Sequence, residues 1–167
     1  RQARGLRRRA VGGDAGLLLG YATEKGFREQ IEIEPSKDAQ KKFAPPSPSA
    51  RFICDIFRGN EAKKNSVSEI VFLHTLDHIS DPYAFLQNSL ALLKPGGVAV
   101  CAVHNTRAWS AKILGKRSPI FTIAHTYLFH QANVRLLFKK VGFDVLDVFP
   151  YANTYPLWYW VRDVNIF

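Results

Sequence analysis

The chain has 167 residues with 23 Lys and Arg, 14 Asp and Glu, five His and two Cys, and its formal net charge is +9. An apolar fraction of 47% excludes intrinsic disorder, the length suits one domain with a buried core, and no apolar run approaches the ~20 residues of a membrane span. Two Cys exclude a disulfide framework, which predicts that Cys54 and Cys101 are buried thiols of a reducing, cytoplasmic compartment.

Five arginines among the first nine residues carry most of the excess positive charge. The remaining residues have a net charge of +4, so nucleic acid is an unlikely partner and binding through the tail ranks third among the functions considered. We expect residues 1–10 to be a basic, disordered tail that cannot form a strand, and residues 11–167 to be one domain. The arginine-rich start, which lacks an initial Met, suggests a fragment of a longer protein.

Helix-like and strand-like patterns alternate through the first half of the chain. Gly26 ends one helical pattern as a natural C-terminal cap, and Pro35 is placed to open another helix. The Pro- and Ser-rich segment that follows can be neither a helix nor a central strand. The predicted elements are a helix over 15–26, a strand over 30–34, a helix over 36–43, a linker over 44–49 and a strand over 51–57.

The second half continues the same alternation with stronger signals. Asp81 and Pro82 predict a capped helix start, and Gly142 predicts a helix end. This order of elements with short connections predicts an α/β fold with a doubly wound, mostly parallel sheet. The predicted elements are strands over 67–74 and 98–103, helices over 83–93, 105–115 and 131–141, and two closing strands over 143–149 and 155–161.

The segment 73–97 (LHTLDHISDPYAFLQNSLALLKPGG) carries a family resemblance. A buried strand leads into the turn 74–78, then Asp81-Pro82 and a helix, then residues 92–97 and another strand. This arrangement resembles class I S-adenosylmethionine-dependent methyltransferases, specifically the small-molecule and quinone-biosynthesis group. The resemblance covers about residues 11–163. It implies a Rossmann-like sheet, S-adenosylmethionine as cofactor, and methyl transfer to a small-molecule, lipid-like or sugar-like acceptor.

The N-terminal part matches this family less closely. In the family, a first strand ends in an acid and a G-x-G-x-G turn whose glycines let the backbone approach the cofactor. The corresponding cofactor-binding residues here are Gly12, Gly13 and Gly16, while Ala10 replaces the acid and Asp14 replaces the middle glycine. The first strand is therefore expected to be missing or irregular. An inactive methyltransferase-like binding domain, or a truncated gene product, is the alternative reading.

Further cofactor-binding residues are implied by the resemblance. Glu34 ends the second strand about 20 residues after the Gly-rich turn, where an acid binds both ribose hydroxyls, with Pro35 beside it. Asp55 matches the acid that faces the adenine amino group, with Ile56 next to it. The structural alternatives are that Glu34 is a surface residue at a strand end and that Asp55 is a loop carboxylate or a helix cap.

The motif H-x-x-D-H at His74, Asp77 and His78 has two interpretations. In the methyltransferase interpretation, His74 lies at the carboxyl end of its strand beside the cofactor. His78, with Asp77, is then a candidate general base toward the acceptor, or a helix cap. The remote alternative is a zinc hydrolase through His74 and His78, since the motif resembles the inverted zinc-protease signature. A strand before His74 and the lack of a convincing third ligand oppose that alternative, so we expect no metal site.

Overall fold

A computed structural model describes residues 7–11, 17–45 and 47–151. It contains a five-stranded sheet in which every neighbouring pair of strands is parallel, in the order β3-β2-β1-β4-β5. This is the strand order of a Rossmann-like, doubly wound sheet, as predicted. The strands are β1 (Arg7–Val11), β2 (Glu29–Ile33), β3 (Ala50–Ile53), β4 (Val67–Leu73) and β5 (Leu93–Ala102), and the helices are α1 (Leu17–Glu24), α2 (Lys37–Lys42), α3 (Pro82–Leu92), α4 (Trp109–Leu114) and α5 (Gln131–Val141), with 3₁₀ turns at Leu76–His78 and Gly115–Arg117.

The chain divides into two compact units. Unit 1 comprises Arg1–Leu76 with Asp81–Ala102 and so contains the whole sheet. Unit 2 comprises Asp77–Ser80 with Val103–Phe167 and contains α4 and α5. Among the described residues, no helix is long and apolar enough to cross a membrane.

The core of unit 1 forms where β4 packs with aromatic rings from other elements. Phe72 of β4 is fully buried and meets Phe85 of α3 edge-on, with ring centroids 5.5 Å apart. Phe57 meets the same Phe85 ring at 5.0 Å, also edge-on, which is a favoured aromatic geometry. Leu86 and Leu92 on α3 are also fully buried, so α3 contributes a continuous apolar face.

Helix ends follow the predicted capping chemistry. The Asp81 carboxylate accepts the Ala84 N–H at 2.9 Å, and Pro82 occupies the first turn of α3. The start of α2 differs from the prediction: Ser36 is its N-cap and accepts the Ala39 N–H, so Pro35 lies before the cap and does not open the helix. Gly142 ends α5 with φ 111°, in the left-handed region that favours glycine.

The prediction that no strand precedes the Gly-rich turn is wrong. Residues Arg7–Val11 form β1, which lies in the middle of the sheet and pairs with β2 on one side and β4 on the other. The sequence argument considered side-chain polarity, whereas strand pairing uses backbone N–H and C=O groups. A strand with a partner on both sides has hydrogen-bond partners for the backbone groups along both of its edges, and this compensates for a polar sequence.

The prediction of a closing strand over 143–149 is also wrong. Residues 143–151 contain no strand, and Leu146 is 80% exposed there. Alternating apolar residues suffice for a strand only where a neighbouring strand edge is available, and none pairs with this segment in the described part of the chain. The partner predicted for it, 155–161, lies outside the described residues.

Smaller differences concern element lengths and the thiols. The strand predicted over 51–57 ends at Ile53, and the helix predicted over 105–115 is limited to Trp109–Leu114. Cys54 and Cys101 are half-buried instead of buried. Cys54 directly follows β3, and strand ends in open sheets face loops, not the core.

Candidate functional site

Four neighbouring strands end at one edge of the sheet. Val11 of β1 lies opposite Ile33 of β2 and Phe72 of β4, and Ile33 lies opposite Ile53 of β3. The residues that follow these strands therefore share the carboxyl edge, where open α/β sheets bind their ligands. Among the predicted cofactor-binding residues, Glu34, Pro35, Asp55, Ile56 and His74 lie there. Gly12, Gly13 and Gly16 follow β1 in the sequence but lie outside the described residues.

Glu34 is held in place at the end of β2. Its N–H donates to the Ile53 carbonyl at 3.1 Å, and its Oε1 accepts the Ser36 N–H at 3.0 Å. The neighbouring Pro35 carbonyl accepts the Cys54 thiol with an Sγ–O distance of 3.6 Å. The carboxyl ends of β2 and β3 are thus joined by two hydrogen bonds, and the Ser36 N–H orients the Glu34 carboxylate before any ligand arrives.

Asp55 is an exposed carboxylate in the loop after β3. Its Oδ1 accepts the Ile56 N–H at 2.7 Å and the Arg58 guanidinium at 3.1 Å. The Ile56 hydrogen bond, followed by that of Arg58, holds the pKa of the Asp55 carboxyl below its ordinary value. The group is therefore an anionic hydrogen-bond acceptor at neutral pH.

His74 has an unusual backbone conformation at the end of β4. Its φ is +48°, a region that non-glycine residues seldom adopt, and its N–H donates to the Ala102 carbonyl at 2.8 Å. The helical turn begins only at Leu76 and ends at His78. His74 and His78 therefore do not share a helix, which removes the geometric basis of the inverted zinc-protease interpretation.

A second group of polar side chains lies within unit 2. Asp77 is 1% exposed, and its Oδ2 accepts His104 Nδ1–H at 2.6 Å. The His125 ring is 4.6 Å from the His104 ring and 4.7 Å from the His78 ring between centroids. We call these four residues, Asp77, His78, His104 and His125, the histidine cluster.

Hydrogen bonds to backbone carbonyls settle the protonation of two rings in this cluster. His78 Nδ1 lies 2.7 Å from the Ala124 carbonyl oxygen, and His125 Nδ1 lies 2.7 Å from that of Ile120. A carbonyl oxygen only accepts, so both Nδ1 atoms carry a hydrogen. In the neutral rings each Nε2 therefore has a lone pair, and His125 Nε2 lies 3.9 Å from Asp77 Oδ2, beyond hydrogen-bond distance.

The Asp77 carboxylate is ionised in spite of its burial. Desolvation raises the pKa of this carboxyl, but the hydrogen bonds and charge of His104 outweigh it and hold the pKa below its ordinary value. Oδ1 is buried and has no hydrogen bond to a described residue. Such an oxygen is costly to bury unless a donor or a cation reaches it.

Sequence reasoning found part of this cluster. It singled out Asp77 and His78 as a pair, whereas the carboxylate of Asp77 contacts His104, which is 27 positions away. His104 and His125 fall where the family resemblance implies acceptor-side loops, but isolated histidines have no local pattern that assigns them a role. Only the fold brings them together.

The comparisons with known proteins identify one family. A family model described as a methyltransferase domain matches residues 11–148. No curated protein matches the chain significantly. The family model therefore carries the assignment, and solved structures supply a comparison of the fold.

Three solved structures illustrate the similarity. A Bacillus halodurans protein assigned as a methyltransferase has a TM-score of 0.72 at 11% identity, with 99% of this chain and 75% of that chain covered. A chain from the Haloferax volcanii complex of the Trm112 methyltransferase activator has a TM-score of 0.66 at 18% identity, with 83% and 61% covered. An Archaeoglobus fulgidus SAM-dependent methyltransferase has a TM-score of 0.65 at 18% identity, with 86% and 63% covered. The chain thus spans less than two thirds of the last two proteins, and these identities indicate a common fold.

Proposed function

We propose, since the chain belongs to the family of methyltransferase domains, that it transfers the methyl group of S-adenosylmethionine to a small-molecule acceptor. The family match over residues 11–148 supports the reaction class. The observation that carries cofactor binding is the oriented Glu34 carboxylate at the carboxyl end of β2, next to the strand that leads into the Gly-rich turn. A reducing, cytoplasmic location is part of the same proposal.

The residues at the sheet edge fit a nucleoside cofactor. Only Oε1 of Glu34 is engaged by Ser36, so Oε2 can accept a ribose hydroxyl. Asp55 is ionised and exposed, and we assign it to the adenine amino group, with Ile56 alongside. We assign Gly12, Gly13 and Gly16 to the methionine end, and Pro35 and His74 to the walls of the site.

Methyl transfer requires the protein to position the two reactants and does not require a covalent intermediate with the protein. S-adenosylmethionine, when bound, supplies a methyl group on a positively charged sulfur. With both ligands bound, the new bond from the acceptor lone pair to the methyl carbon would form as the carbon–sulfur bond breaks, and S-adenosylhomocysteine would be the leaving group. The chain contributes by holding cofactor and acceptor in line and by excluding water, which can supply much of the rate acceleration.

An acceptor hydroxyl or amine must also lose a proton, and for this step His78, with Asp77, is the proposed base. Its Nδ1 already donates to Ala124, so Nε2 is the nitrogen that would take the proton. The Asp77 carboxylate hydrogen-bonds to His104 and not to His78, so in this proposal it supports the base indirectly, as a negative charge within the histidine cluster.

Titration calorimetry with S-adenosylmethionine and S-adenosylhomocysteine tests the cofactor part. We expect binding by the unaltered chain and a loss of roughly 10- to 100-fold in affinity for Glu34→Gln, because hydrogen bonds to a charged acceptor contribute about 1.5–3 kcal/mol. Glu24→Gln, at the exposed end of α1, removes the same charge away from the sheet edge and should bind normally. Absence of binding at millimolar cofactor, or equal affinities for the two variants, would overturn the proposal.

A further inference from the structure

The histidine cluster of unit 2 has the chemistry of a metal site. Asp77, His78 and His125 each offer one ligand atom, and these atoms lie within 4.8 Å of one another. Two imidazole nitrogens and one carboxylate are a donor set that zinc and other divalent transition metals accept. We propose that these three side chains bind one divalent transition-metal cation, with zinc(II) as the test ion.

The tautomers of the two histidines support this proposal. Metal-binding histidines usually donate their other ring N–H to a carbonyl or carboxylate, which fixes the ring and leaves one lone pair for the metal. His78 does so toward Ala124, and His125 does so toward Ile120. In both rings Nε2 is the nitrogen left for the cation, and His125 Nε2 is the atom that lies toward Asp77.

The buried Asp77 carboxylate also favours a bound cation. Asp77 is almost fully buried, and its Oδ1 has no hydrogen-bond donor among the described residues. His104 occupies Oδ2 and so acts as an outer partner that orients the carboxylate. A cation that reaches Oδ1 as well as the two histidine nitrogens would satisfy this buried oxygen, while Oδ2, 3.9 Å from His125 Nε2, keeps its hydrogen bond from His104.

The three side chains must move slightly closer together to reach the ligand-to-ligand distances of a zinc site. Ligands of a tetrahedral zinc ion are about 3.3 Å apart when the bonds are about 2.0–2.1 Å long. Asp77 Oδ2 and His125 Nε2 are 3.9 Å apart, and one ligand atom from each of Asp77, His78 and His125 lies within 4.8 Å of the other two. His78 is exposed, so its ring can move without repacking the core. Three protein ligands leave one position for water.

This proposal goes beyond methyl transfer and concerns the metal-bound chain; in the metal-free chain the Nε2 lone pair of His78 remains available to take the proton of the acceptor. A single Nε2 lone pair binds either a metal or a proton. It also differs from the zinc hydrolase considered above, because the third ligand is His125 and His74 takes no part. Metal binding can be measured without any acceptor and without S-adenosylmethionine, so its failure is separate from failure of the proposed function.

Competition titration with a chromophoric zinc chelator, on the full chain freed of metal, tests the proposal. We expect one zinc per chain, and at least about tenfold weaker binding for His78→Gln and for His125→Gln, since even outer-shell changes cost 10–100-fold. His130→Asn is the matched control. It removes a histidine outside the cluster but keeps a side chain that can cap α5, and it should bind zinc normally.

Spectroscopy of the unaltered chain tests the same ligands without a variant, and so does not depend on whether the variants fold. Long-range ¹H–¹⁵N spectra of the unaltered chain should show that zinc shifts the Nε2 signals of His78 and His125 while both Nδ1 atoms keep their protons. Cobalt(II) should give the intense visible absorption of four-coordination. No zinc binding at micromolar concentration, unchanged affinity in both Gln variants, or metal-induced loss of the Nδ1 protons would overturn the proposal.

Discussion

At the residue scale, Asp55 shows how local donors set the charge of a loop side chain. Its side chain is exposed to solvent, and the Ile56 N–H and the Arg58 guanidinium both donate to Oδ1. These groups stabilise the ionised form, so its pKa is lowered without burial. A group with a lowered folded-state pKa stabilises the fold above its ordinary pKa. That contribution is lost as the pH falls through the lowered value, here below about pH 4.

Removing the Arg58 charge should raise the pKa of Asp55. In Arg58→Gln we expect the pKa to rise but to remain below its ordinary value, because the Ile56 hydrogen bond is the largest cause of the shift and is retained. A pH titration of the Asp55 carboxyl carbon by NMR measures this directly. Arg51→Gln removes an equal charge from an exposed position on β3 and serves as the control. Equal midpoints in Arg58→Gln and the unaltered chain would contradict the explanation.

At the element scale, the start of β5 depends on two glycines. Gly96 has φ +74°, where a side chain is strained. Gly97 has an ordinary φ, but a Cβ there would lie 2.9 Å from the Lys94 carbonyl oxygen and 3.0 Å from that of Val67. These contacts are with backbone, which cannot rotate away. The glycine pair therefore lets β5 join β4 where the register shifts, between Val67 and Glu69.

Gly97→Ala should accordingly destabilise the chain while Gly20→Ala should not. We expect a loss of about 1–3 kcal/mol in the free energy of unfolding for Gly97→Ala, the usual cost of overpacking. A Cβ at Gly20 in α1 would meet nothing within 4 Å, so Gly20→Ala should gain about 0.5–1 kcal/mol from helix propensity. Urea unfolding measures both, and a neutral Gly97→Ala would show that the backbone contact is not restrictive.

At the scale of the whole molecule, the arginine-rich β1 is the central strand of unit 1. Because β1 pairs with both β2 and β4, its amides form part of the sheet interior, whereas β3 and β5 lie at the two edges. Central position protects backbone hydrogen bonds from water. The cofactor residues proposed above depend on this strand, since its carboxyl end sets the start of the Gly-rich turn.

Hydrogen exchange tests the position of β1. We expect the amides of residues 9–11 to exchange as slowly as those of β4, and more slowly than those of the edge strand β3. Exchange of 9–11 at the rate of an unstructured peptide, with β4 still protected, would contradict the central position of β1.

Local signals predicted most of the elements correctly. The bounds of α5 at residues 131 and 141, and the capped start of α3 at Pro82, follow from helical periodicity and from caps that act within one turn. The motif in residues 73–97 indicated the family, and the family model confirms it. The predicted cofactor residues remain predictions, although Glu34 and Asp55 do lie at the predicted edge of the sheet.

The sequence by itself thus determined the helices and the strands β2 to β5, because these rest on interactions between near neighbours, and its local motif over residues 73–97 indicated the methyltransferase family. Only the tertiary structure decided that residues 7–11 form a strand, since pairing with β2 and β4 overrides their composition. It also decided that residues 143–149 are not a strand. The histidine cluster belongs with these, because Asp77, His104 and His125 are distant in sequence and meet only through the fold of unit 2.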